Sequence, residues 1–116
     1  MAHQTLSQLY IDENFNTFNN NTWTVVGDAS HNNTSKTVEL TNTSVDSYGR
    51  LIYNKGLVEN NIWYLDLDFR LYGGSSDPAE AFGIWLYTDE SETGYQPNNG
   101  YGIEFDHVNN IVKLVD

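Results

Sequence analysis

A chain of 116 residues with 39% hydrophobic content can build one domain around one core, and is too short for a second. Its 16 acidic residues against 5 basic ones leave a formal net charge of -11, a field that repels nucleic-acid phosphates and anionic lipid. With no cysteine there is no disulfide framework and no thiolate metal or redox chemistry.

Short strand-like runs separated by polar turns follow one another along the chain, and no helical period is sustained for three turns. In chain order the expected strands are Leu6 to Phe15, Trp23 to Gly27, Thr37 to Thr41, Tyr48 to Tyr53, Ile62 to Tyr72, Ala81 to Thr88, Gly100 to His107 and Ile111 to Val115. The breaks are Asn19-Asn20-Asn21, His31-Asn32-Asn33, Asn54-Lys55-Gly56, Gly73-Gly74-Ser75-Ser76 and Asn98-Asn99-Gly100, all composed of turn formers. This spacing predicts a single all-β domain over 1–116, an antiparallel β-sandwich.

Alternation assigns the faces. In Ile62 to Tyr72, Trp63, Leu65, Leu67, Phe69 and Leu71 share one side, expected in the core, while Tyr64, Asp66, Asp68, Arg70 and Tyr72 share the other. Ala81 to Thr88 sets Phe82, Ile84 and Leu86 opposite Ala81, Gly83, Trp85 and Tyr87. Gly100 to His107 sets Tyr101, Ile103 and Phe105 opposite Gly102, Glu104 and Asp106.

Two carboxylates on one strand face stand about 7 Å apart, and repel each other unless a cation, a hydrogen-bonded polyol or a shifted pKa relieves them. If these strands share a sheet, one face combines Trp85, Tyr87, Arg70, Glu104 and Asp106, with Gly83 and Gly102 leaving room for a ligand. Aromatic faces cover the apolar face of a pyranose, and charged groups bond its hydroxyls, so the face has the chemistry of sugar recognition. Val108-Asn109-Asn110 reads as a hairpin turn between the last two strands.

Sequons at Asn20, Asn32, Asn33 and Asn42 fit an extracellular or cell-surface chain. Met1-Ala2-His3-Gln4-Thr5-Leu6 lacks the pattern of a signal peptide, which a virion protein would not need. No apolar stretch approaches membrane-spanning length, so no helical insertion is expected.

The run Ala79-Glu80-Ala81-Phe82-Gly83-Ile84-Trp85-Leu86, followed by Asn99-Gly100-Tyr101-Gly102-Ile103-Glu104-Phe105-Asp106, resembles the concanavalin-like jelly rolls, most closely the L-type (legume-like) lectins. Phe15 to Gly27, with Trp23, is similar to their opening strands. The resemblance implies a noncatalytic carbohydrate-binding module, with Glu80 at the sugar-binding acid and Glu104, Asp106 and Asn110 as hard-oxygen ligands for calcium. Two positions depart from that pattern. Asp116 lies ten residues beyond Asp106, where the family's next Asp lies eight or nine beyond, and Ala81 stands where the family has Gly.

The Glu104-x-Asp106 strand also resembles glycoside hydrolase family 16. That resemblance implies Glu104 as nucleophile and Asp106 as its helper, but puts Asn109 at the acid/base position, where an amide cannot move the proton that a departing sugar needs. A complete concanavalin-like domain has more strands than these eight. An incomplete or small sandwich would leave open edges, and a third expectation is a structural or adhesion subunit of a filament or virion that self-associates through them.

Overall fold

The computed structural model describes residues 11–44, 46–56, 64–70, 81–87, 100–106, 109 and 111–115. They form seven antiparallel strands and no helix, in two compact units, Met1–Tyr72 and Gly73–Asp116.

In the first unit, β1 (Trp23–Gly27) pairs with β4 (Gly49–Tyr53) in a register running from Trp23↔Tyr53 to Gly27↔Gly49. Thr24, Val25 and Val26 are β-branched and suit a pleated strand. Gly27 ends it at φ 68°, where a side chain would run into the Tyr48 carbonyl. Asp28 then fixes the return strand, its Oδ2 accepting from Ser47 Oγ and from the Tyr48 amide, both at 3.0 Å.

β2 (Ser30–Asn32) and β3 (Thr37–Glu39) make a short hairpin. Asn32 organises its loop: Oδ1 accepts the amides of Thr34 at 2.9 Å and Ser35 at 3.1 Å, and Nδ2 donates to Glu39 Oε1 at 3.0 Å. In the expected break at His31-Asn32-Asn33, the first two residues are therefore strand and Asn33 begins the turn.

The core of this unit centres on Trp23, which meets Phe15 at 5.4 Å and Tyr53 at 5.2 Å between ring centroids. Trp23 and Ala29 are the buried apolar residues among those described.

Two expected strands are not found in their described parts. Residues 11–15 form none; the amides of Phe15 and Asn16 bond instead to side-chain oxygens two residues back, on Glu13 and Asn14. Residues 64–70 carry no regular structure, and Leu65, Leu67 and Phe69, expected in the core, are 52%, 45% and 46% exposed. Alternation sets sides only where a neighbouring strand supplies the ladder.

In the second unit β5 (Ala81–Tyr87), β6 (Gly100–Asp106) and β7 (Ile111–Val115) form one sheet with β6 in the centre. The registers pair Gly83 with Glu104 and Trp85 with Gly102 across β5 and β6, and Glu104 with Lys113 and Gly102 with Val115 across β6 and β7.

Candidate functional site

The antiparallel registers of the second unit place Gly83, Trp85, Tyr87, Gly102, Glu104, Asp106 and Lys113 on one sheet face. The Trp85 side chain does not stand away from this face. Its indole folds back along the strand, so that a methyl group on Gly83 would lie 2.6 Å from the ring nitrogen and 3.0 Å from Cε2. A methyl group on Gly102, across the ladder, would lie 2.9 Å from Cδ2 of the same ring. Two glycines on adjacent strands thus form a floor on which the indole rests, and Trp85 is half-buried.

Beside that floor sits Glu104, only 5% exposed. Burying a carboxylate is costly unless it is paired and hydrogen-bonded. Lys113, its cross-strand partner on β7, supplies the pairing: Nζ stands 2.9 Å from Glu104 Oε1. The hydrogen bond to Glu104, then its negative charge, then that of Asp106, raise the Lys113 pKa, with desolvation opposing them.

Asp106, two residues on, turns its carboxylate to the β6–β7 connection. Oδ1 accepts the Asn109 amide at 3.1 Å and Oδ2 accepts Asn109 Nδ2 at 2.9 Å. Of the expected turn Val108-Asn109-Asn110, only Asn109 is among the described residues, and it is tied to Asp106 in this way.

The opposite face carries Phe82, Ile84, Leu86, Tyr101, Ile103, Phe105, Val112 and Leu114, with Phe82 and Phe105 in ring contact at 6.0 Å. This apolar face, expected inside, is the more open one on the two C-terminal strands: Val112 is 66% and Leu114 85% exposed. A surface depression of about 350 Å³ lies at one end of the β6–β7 pair, lined among the described residues by Tyr101, Gly102, Leu114 and Val115.

Of the residues singled out from the sequence, Trp85, Tyr87, Glu104 and Asp106 come together on one face. Arg70 belongs to the first unit and is exposed. Glu80 and Asn110 lie outside the described residues. Among the described residues, no three His, Cys, Asp or Glu side chains cluster as a metal site. Lys113 is the member that sequence reading missed. Its signal was present: with Asp106 paired to Ile111 across the turn, opposite charges at 104 and 113 fall in register. No family model, curated protein or solved structure gives a significant match to this chain.

Proposed function

We propose that the chain is a noncatalytic extracellular carbohydrate-binding module, its three-stranded sheet being one layer of a concanavalin-like β-sandwich. The observation that carries this reading is the indole of Trp85 packed against Gly83 and Gly102, on the sheet face that also holds the Glu104–Lys113 pair. A half-buried aromatic ring presents its open side to the apolar face of a sugar, and the partly exposed Lys113 ammonium of the ion pair offers donors to hydroxyl oxygens. The negative net charge favours neutral glycans over anionic ones.

The hydrolase reading lacks a second carboxyl group at the Asn109 position. It also asks Glu104 to attack a sugar while its carboxylate is bound to Lys113.

The test is retention on an immobilised glycan panel. Trp85→Ala should weaken retention by about tenfold or more, the loss of roughly 1.4 kcal/mol of contact, while shifting the thermal transition by only a few degrees. A silent panel for the unmodified chain, or a transition that collapses with Trp85, sinks the reading. Product release from a β-glucan panel, abolished by Glu104→Gln, would move the assignment to the hydrolase.

A second reading is favoured by the opposite face, where Val112, Leu114 and Tyr101 are open to solvent. A structural or adhesion subunit would bury that face against another copy of the chain. Its signature is concentration-dependent association without sugar, and a strict monomer over a wide concentration range contradicts it.

A further inference from the structure

We propose that the Lys113 ammonium takes the place of a metal ion on this sheet face, so that the buried Glu104 is balanced by an organic cation from the neighbouring strand whose exposed donors face a ligand. This rests in part on the sugar-platform reading, but its central claim concerns the cation alone.

Glu104 is the most buried of the described carboxylates and needs a positive partner. The backbone register supplies one: Lys113 is paired with Glu104 across β6 and β7, so Nζ reaches Oε1 at 2.9 Å without a long detour. Calcium seeks six to eight oxygens at about 2.3–2.6 Å. Here the first acid of the Glu-x-Asp strand faces an ammonium, which an incoming divalent ion would have to displace against like charge. The second acid, Asp106, turns both oxygens to Asn109, at 3.1 and 2.9 Å. The donor set therefore does not fit a calcium ion held by these two residues.

An ammonium differs from calcium in what it offers a ligand. It has three N–H donors. With Lys113 45% exposed, the donors beyond the one spent on Glu104 lie at the surface of the Trp85 face. They suit the acceptor lone pairs of hydroxyl and ring oxygens, and require no ion from the medium. Lys113 thus balances the charge of Glu104 and acts as a direct donor to a hydroxyl-rich ligand.

The experiment compares the unmodified chain, Lys113→Met and Lys113→Arg, each with calcium and with chelator, reading the thermal transition and retention on an immobilised neutral glycan. For the unmodified chain, calcium and chelator should give the same transition and the same retention. Lys113→Met should lower the transition and weaken retention about tenfold or more. Lys113→Arg should recover most of both, since a guanidinium also pairs with a carboxylate.

A transition of the unmodified chain that rises with calcium, or retention stripped by chelator, overturns the proposal. So does a Lys113→Met protein indistinguishable from the unmodified chain. If Lys113→Met does not fold, the calcium comparison and the arginine variant still decide. If no glycan is retained, the platform reading fails by itself. Transitions insensitive to calcium, with the loss and recovery at position 113, would still support Lys113 as the cation.

Discussion

Gly83 and Trp85 are two residues apart on β5, and the indole folds back over the glycine so closely that an added methyl group would stand 2.6 Å from its nitrogen. The ring's position is set by the absence of a side chain beneath it. Gly83→Ala should lift the indole from the sheet at a cost of about 1–3 kcal/mol, the usual range for overpacking. Tryptophan emission should shift, and retention on a glycan should fall with it. Gly56→Ala is the control, since no described residue lies within 4 Å of an added methyl there. Equal emission and midpoints for the two variants would show that the indole does not depend on the glycine floor.

In the first unit, Glu13 binds the core tryptophan and a strained backbone together. Its Oε1 accepts Trp23 Nε1–H at 2.8 Å, and its Oε2 accepts the amide of Phe15, which sits at φ 55°. A positive φ at a bulky aromatic residue costs of order 1–3 kcal/mol and persists only where the surroundings hold it. Glu13→Ala removes both bonds and should lower the urea midpoint by the equivalent of about 1–3 kcal/mol. Glu13→Gln keeps an acceptor and should cost less. Identical midpoints for Ala and Gln would mean that the paired acceptor contributes nothing.

At the centre of that cluster, Trp23 pairs in register with Tyr53 and packs against Phe15. With Trp23 and Ala29 the buried apolar residues described, the unit has little core to spare. Trp23→Ala should cost about 3–5 kcal/mol. The far-ultraviolet signature at ambient temperature, compared before and after the substitution, checks this. A chain that keeps both its signature and its transition would place the core elsewhere.

Where local pattern and local pairing agree, the strands were legible. Trp23–Gly27 and Ile111–Val115 lie where their branched residues put them, and Asn109, between the last two strands, bonds to Asp106. Ser30–Asn32 escaped notice because its residues are turn formers, and its pairing follows from a loop that Asn32 itself holds. Residues 64–70 show the reverse: their alternation is the clearest in the chain, yet it cannot tell whether a partner strand lies alongside. The same limit applies to sides. Alternation grouped Trp85, Tyr87, Glu104 and Asp106 as the registers do but set Arg70 of the first unit with them. What covers a face is a tertiary fact, and the more open face on β6 and β7 is the apolar one. Lys113 could be found only by adding register to alternation, since nothing near it in the chain marks it.

The Glu104–Lys113 pair has a pH signature whose sign is fixed. The hydrogen bond and charge of Glu104 raise the Lys113 pKa above its ordinary value of 10.5 in the folded chain. Folding then favours the protonated lysine, and this stabilisation is fully present below 10.5 and lost as pH rises through the folded value. Tyrosines also titrate in alkali, so the informative quantity is the difference in midpoint between the unmodified chain and Lys113→Met. It should be constant from about pH 7 to about pH 10 and shrink above that. The double variant Glu104→Gln with Lys113→Met should regain much of what Lys113→Met loses, because it no longer buries a carboxylate that has lost its ammonium. A difference that grows in alkali, or a double variant no more stable than the single one, would show that the ion pair does not govern the stability of this sheet.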